Sequence, residues 1–126
     1  MFFKKKKKEN IVETATTENV VVNEEIEKRI QELEEIIKTN KDIQYYTELG
    51  NCYRDLNHVD KAIKIYEYCL KNDSSFGGTI YKDLTKLYNI KRREAAVNKD
   101  DQALQFYLDK LDGLMQLSKD VMRGKV

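Results

Sequence analysis

Residues 43–71 read IQYYTELGNCYRDLNHVDKAIKIYEYCLK, and their apolar positions recur every three or four residues. This spacing is typical of helices that bury one face. One stripe contains Ile43, Tyr46, Leu49, Cys52, Tyr53 and Leu56, and a second contains Ala62, Ile63, Ile65, Tyr66, Cys69 and Leu70. Asn57 and His58 separate the stripes and favour a turn. We therefore predict two antiparallel helices, at about 42–56 and 59–71.

Three more helices are predicted on either side of this pair. The first runs from Asn23, a suitable N-cap, to Thr39, and its apolar face contains Ile26, Ile30, Leu33, Ile36 and Ile37. The fourth contains Ile80, Tyr81, Leu84, Leu87 and Tyr88, and the sequence leaves open whether it continues to 95–97. The fifth begins near Asp100 and continues through Gly113, because the apolar phase does not change there. Its apolar positions are Ala103, Leu104, Tyr107, Leu108, Leu111, Leu114, Met115, Leu117, Val121 and Met122.

The composition favours an all-α protein with one helical domain. The 126 residues contain no proline and 5 glycines, too few for the frequent turns of a β-sandwich or barrel. No apolar run exceeds three residues, so neither a membrane-spanning helix nor a secretory signal is predicted. Residues 1–22 lack helical periodicity. We predict a disordered basic and polar tail at 1–22, followed by a helical domain at 23–126.

The charges nearly cancel, but they are arranged in blocks. The formal net charge of +1 creates no field that implies nucleic acid or an anionic membrane. Five lysines run from Lys4 to Lys8, nine glutamates lie within 9–35, and a later basic cluster contains Lys86, Lys91, Arg92, Arg93 and Lys99. Nucleic-acid binding is not expected, because recognisable readout elements are missing. Weak membrane contact through Phe2, Phe3 and the lysines at 4–8 is left open, since such side chains favour an anionic interface.

The sequence contains no catalytic or metal-binding constellation. His58 is the single histidine and lies in a predicted turn, and Cys52 and Cys69 lack the spacing of zinc ligands. Asp100 and Asp101 fit a helix N-cap and first turn better than a metal site. We expect no enzymatic activity, no cofactor and no metal, and two reduced thiols in a cytoplasmic protein.

The chain contains an internal repeat. Tyr46, Leu49 and Tyr53 recur at an offset of 35 as Tyr81, Leu84 and Tyr88. Asp60, Ala62, Ile63, Ile65, Tyr66 and Leu70 recur at an offset of 41 as Asp101, Ala103, Leu104, Phe106, Tyr107 and Leu111. The second unit is therefore the first with six residues inserted between its helices. The first predicted helix matches the second helix of a unit at an offset of 33, so it is half a repeat.

Each unit combines small and aromatic residues at fixed positions. In the first unit these are Tyr46, Leu49, Gly50 and Tyr53 on one helix, and Ala62 and Tyr66 on the other. This pattern resembles the tetratricopeptide repeat (TPR) family, in which the small residues allow two helices to approach closely. The second unit departs from the family pattern at Thr85 and Lys110, and Ser74 lies near the family's usual proline. The resemblance implies antiparallel helix pairs stacked as a short right-handed superhelix. A five-helix bundle with accidental spacing stays the alternative.

The resemblance also implies a groove, lined by the first helix of each unit, that binds a peptide or a partner protein. Its residues here are Gln44, Thr47, Asn51 and Arg54 on one helix and Thr79, Lys82, Lys86 and Asn89 on the next. These two stripes carry three cations and no acid. Such a surface suits an acidic segment or a C-terminal carboxylate.

Self-association is the other open question. A repeat core usually needs three stacked units, and this chain has two and a half. Either the first and last helices cap the stack, or a second copy or a partner completes it, so a homodimer is left open. The acidic stretch from Glu9 to Glu35 is also a candidate for the groove, in the same copy or in another. The sequence therefore predicts a protein-protein interaction scaffold or adaptor, with a self-associating helical bundle as the alternative.

Overall fold

The chain folds as five helices in a computed structural model that describes the backbone of residues 2–73 and 78–124 and the side chains of residues 20–73 and 78–124. The helices are α1 (Phe2–Thr39), α2 (Ile43–Asp55), α3 (Val59–Asn72), α4 (Gly78–Val97) and α5 (Asp101–Met122). The predicted all-α fold with five helices is confirmed. Ser74 and the predicted membrane contacts of the side chains at 2–8 lie outside the described residues.

Local side chains explain where the helices begin and end. Asp42 caps α2, because its carboxylate accepts a hydrogen bond from the backbone N–H of Gln44 at 3.2 Å. Asp100 caps α5 by accepting from the N–H of Ala103 at 3.1 Å, as predicted. Asn57 turns the chain between α2 and α3 with a φ of 60°, a conformation that asparagine adopts more readily than most residues. The predicted passage of the last helix through Gly113 is also confirmed.

The first helix is longer than the sequence pattern indicates. The sequence predicts an irregular chain up to an N-cap at Asn23, whereas α1 begins at Phe2. No proline or glycine lies within α1 to interrupt its hydrogen bonds. Among the described side chains of α1, those at 20–25 are exposed and Ile26 is the first that packs against another helix. The division of the chain into a tail and a domain at residue 22 stays a prediction.

Consecutive helices pack against each other, α1 on α2, α2 on α3, α3 on α4 and α4 on α5. Connections of three residues at 40–42, 56–58 and 98–100 make these neighbours antiparallel. The main core comes from α2 to α5 and contains Tyr46, Ala62, Ile63, Tyr66, Cys69, Leu70, Ile80, Leu84, Leu87, Tyr88 and Leu114. A smaller cluster of Ile30, Leu33 and Leu49 joins α1 to α2.

The last helix buries only one of its apolar sides. Leu114 is buried against the core, but Leu108, Met115 and Met122 are 38%, 57% and 84% exposed. The sequence predicts that the apolar face of this helix covers the end of the stack. These three residues stay exposed because no element in the described ranges packs on that side of α5. Among the described residues, no helix combines the length and the apolar character needed to cross a membrane.

Candidate binding cleft between α4 and α5

A cleft of about 740 Å³ opens between the last two helices, which we call the α4–α5 cleft. Its lining residues are Gly78, Tyr81, Lys82, Thr85, Lys86 and Asn89 from α4, and Leu111, Leu114, Met115, Ser118 and Lys119 from α5. Buried Leu114 and half-buried Tyr81 and Leu111 form its base, and exposed lysines surround it. The volume is within the range of ligand-binding clefts.

Three lysines at the edge of the cleft carry charge that no neighbour neutralises. These rim lysines are Lys82, Lys86 and Lys119, and in the described part of the chain none of them forms an ion pair. Lys110, in contrast, contacts Glu67 at 3.3 Å outside the cleft. Among the described residues that line the cleft, none is acidic. The local potential is therefore positive beside an apolar surface, which favours an anionic ligand with an apolar side.

The structure brings most of the predicted groove residues of α4 to this cleft. Lys82, Lys86 and Asn89 line it, whereas Thr79 is exposed and lies outside the lining. Asn89 is held within its own helix, since its Nδ2 donates to the carbonyl of Thr85 at 3.1 Å. The lysines are thus the α4 side chains whose polar groups are available to a ligand.

The predicted groove residues of α2 lie elsewhere and are mostly engaged in internal contacts. Gln44 is exposed, and the Thr47 hydroxyl donates to the carbonyl of Ile43 at 2.9 Å. Asn51 Oδ1 accepts a hydrogen bond from the Tyr66 hydroxyl at 2.6 Å. The fourth residue, Arg54, forms an ion pair described below. None of these four side chains lines the α4–α5 cleft.

The first repeat unit shows how the corresponding space between α2 and α3 is filled. Tyr46 and Leu70 are only 9% and 6% exposed and share one core cluster with side chains of α4. Their equivalents in the second unit, Tyr81 and Leu111, are half-buried and line the cleft. In the described ranges no helix follows α5. The α4–α5 cleft therefore corresponds to the place that α4 occupies on the first unit.

An ion pair fixes α4 in that place. Nη1 of Arg54 on α2 donates to Oδ2 of Asp83 on α4 at 2.7 Å, and the Asp83 side chain is 18% exposed. The helix α4, which covers the first unit, thus places the carboxylate of Asp83 beside the guanidinium of Arg54. Asp83 belongs to neither predicted stripe, so the sequence pattern did not indicate that Arg54 is neutralised.

Burial keeps Tyr66, Cys52 and Cys69 in their neutral forms near neutral pH. Burial raises the pKa of Tyr66 to about 12, so its hydroxyl stays protonated and donates to Asn51. Burial likewise raises the pKa of the Cys52 and Cys69 thiols, which makes both weak nucleophiles near neutral pH. Among the described residues, no group of three His, Cys, Asp or Glu side chains is placed to hold a metal ion.

The sequence pattern does not indicate the α5 side of the cleft. It places Leu111 and Met115 among the apolar core positions of the last helix and gives no role to Lys119. The repeat itself contained the signal for Leu111, because its equivalent Leu70 is a residue that the following helix covers. No comparable signal exists for Lys119, which lies beyond the repeated segment.

No protein-family model, no curated protein and no solved structure matches this chain. The tetratricopeptide resemblance therefore rests on the residues of the two units themselves.

Proposed function

We propose that this protein is a non-enzymatic protein-protein interaction module that binds an acidic, amphipathic helix of a partner protein in the α4–α5 cleft. The observation that carries the proposal is the pairing of an apolar base with Lys82, Lys86 and Lys119, which have no acidic partner in the described residues. Apolar area supplies affinity in such a site, and the lysines select an acidic partner and speed its association.

A helical ligand is favoured over an extended peptide because of the first repeat unit. There the covering element is α4, which inserts Ile80 and Leu84, each 1% exposed. Asp83 lies between them in sequence and contacts Arg54. A ligand helix with the same order of apolar and acidic residues would pack its apolar side chains on the second unit and pair its acidic ones with the lysines there.

The proposal includes tetratricopeptide-like stacking of the two units and a cytoplasmic location. The stacking is supported by the repeated residues and by the order of helix contacts from α1 to α5. The location is supported by Cys52 and Cys69, which are unpaired thiols.

The test is a binding titration with a synthetic labelled helix of 14 residues, the length of α3. This acidic peptide has leucines along one face and glutamates beside them. A matched basic peptide has lysines in place of the glutamates. We expect the acidic peptide to bind and the basic one not to bind. K82E/K86E should weaken binding about tenfold or more, since it places like charges together.

The matched control is K41E/K64E, which changes the net charge equally at two exposed lysines outside the cleft. It should bind the acidic peptide like the wild type. Equal affinity for both peptides, or equal loss in both variants, would contradict the proposal. A peptide amidated at its C-terminus should bind as well as the free acid, which distinguishes an acidic helix from a terminal carboxylate.

A further inference from the structure

The middle of α1, at residues 20–27, presents an apolar and acidic surface that the protein leaves uncovered. Val20, Val21 and Val22 are 50%, 52% and 49% exposed. Glu24 and Glu27 follow them, are exposed, and form no ion pair within the described side chains. We call residues 20–27 the acidic segment of α1. A run of three exposed valines on a helix surface is costly to leave in water unless another surface covers it.

Three of these side chains share one outward face of the helix. Val20, Glu24 and Glu27 are four and three residues apart, which places them on the same side of α1. Ile26 and Ile30 lie about 100° further around the helix and pack towards α2. The outward face is therefore not used by the contacts that hold α1 to its own chain.

The acidic segment and the α4–α5 cleft complement each other in charge and spacing. Two glutamates lie about one helical turn apart on the segment, and Lys82 and Lys86 are also about one turn, or about 6 Å, apart on α4. The cleft has an apolar base for Val20. We propose that the acidic segment of α1 from one copy of this protein occupies the α4–α5 cleft of a second copy.

A second copy is required because the segment does not fill the cleft of its own chain. The valines are exposed in the structure. The main described contact of α1 is with α2, whereas the cleft lies between α4 and α5. Two copies that exchange their segments form a closed pair with two filled clefts, whereas one-way docking forms an open chain. This inference rests on the proposed function, since it names the first occupant of the same cleft.

A charge exchange between two full-length variants tests the inference. K82E/K86E has glutamates in both the cleft and the segment, and E24K/E27K has lysines in both. Light scattering over a wide concentration range should show self-association of the wild-type chain. Each variant alone should associate about tenfold more weakly, because like charges meet. An equimolar mixture should recover association, since each cleft then meets an opposite charge.

Two controls separate folding from docking. Circular dichroism of both variants should match the wild type, since all four residues are exposed. K41E/K64E, with the same charge change as K82E/K86E, should associate like the wild type.

A wild-type chain that stays monomeric, or a mixture that stays monomeric, overturns the inference. The synthetic acidic helix distinguishes this failure from failure of the proposed function. If the monomeric chain binds that peptide through Lys82 and Lys86, the interaction module stands and only the second copy is rejected. If the chain binds neither a second copy nor the synthetic acidic helix, both proposals are rejected.

Discussion

The ring of Tyr66 in α3 lies directly against the backbone of Gly50 in α2. A Cβ atom on residue 50 would be 2.7 Å from Cε1 and 2.9 Å from Cδ1 of that ring. Tyr66 is fully buried and its hydroxyl is bound to Asn51, so the ring has no free space to move into. The contact confirms the expectation that a small residue at Gly50 allows the two helices to approach closely.

Gly50→Ala should destabilise the protein although alanine favours helices. The clash with a buried ring should lower the free energy of unfolding by about 1–3 kcal/mol, more than the ~1 kcal/mol that alanine gains in a helix. Urea unfolding measures this difference.

Gly113→Ala is the matched control within α5. Apart from its chain neighbours and the backbone of its own helix, no described atom lies within 4 Å of the Cβ that it would add. The substitution should therefore raise the free energy of unfolding by about 0.5–1 kcal/mol. Equal stabilisation by both substitutions would show that the Gly50 contact does not limit the approach of α2 and α3.

The ion pair between Arg54 and Asp83 should contribute to the attachment of α4. Asp83→Ala leaves a half-buried guanidinium without its closest partner and should lower the free energy of unfolding by about 1–2 kcal/mol. Asp55 also contacts Arg54, at 3.0 Å, but its side chain is 50% exposed. Asp55→Ala should therefore change stability by less than about 0.5 kcal/mol. Thermal unfolding measures the stability of the two variants. If both lose the same stability, the ion pair with Asp83 on α4 contributes no more than the exposed contact with Asp55.

Alkaline pH should destabilise the fold through Tyr66. Its pKa is raised to about 12 in the folded chain, against 10.0 for an ordinary tyrosine. Between these values the folded state keeps a proton that the unfolded state releases, so the free energy of unfolding falls as pH rises. The contribution is fully present below pH 10 and is lost as pH approaches about 12.

Tyr66→Phe isolates this effect from other groups that titrate at high pH. The variant should be less stable near neutral pH, because Asn51 loses its hydrogen bond. Its stability should nevertheless fall less steeply than that of the wild type between about pH 10 and pH 12. Urea midpoints measured at several pH values check this, and identical slopes would contradict the assignment.

Met115 and Met122 offer a paired test of the cleft. Both are exposed on α5, but Met115 lines the α4–α5 cleft and Met122 does not. Met115→Asp should reduce binding of the acidic synthetic helix about tenfold or more, since it removes apolar contact and adds a repelling charge. Met122→Asp should leave binding unchanged, and both should stay within about 0.5 kcal/mol of wild-type stability. Equal effects on binding would place the ligand outside the cleft.

Much of the fold was predictable from the sequence because the helices are strongly amphipathic. The stripes of α2 and α3 identify Tyr46, Ala62 and Tyr66, and all three are buried. The cap at Asp100 was also predictable, since aspartate before an apolar run satisfies free backbone N–H groups. The start of α1 was not predictable, because the sequence of residues 2–22 lacks helical periodicity.

The candidate site was predictable only in part. Lys82 and Lys86 followed from their place on the first helix of the second unit. Asn51 and Arg54 were assigned to the same surface, but their polar groups are engaged by Tyr66 and Asp83. Such contacts depend on how the next helix packs, which the spacing within one helix does not specify. The same limit applies to the exposed side of α5, since the apolar phase does not show how many neighbours a helix has.

The most direct test of the proposed cleft is a nuclear magnetic resonance titration of the isotope-labelled chain with the acidic synthetic helix. We expect the largest changes at Lys82, Lys86, Met115 and Lys119, which line the α4–α5 cleft. We expect small changes at Gln44 and Thr47 on α2, which lie outside the cleft. Changes centred on α2, or no changes at saturating peptide, would contradict the assignment of this cleft as the binding site.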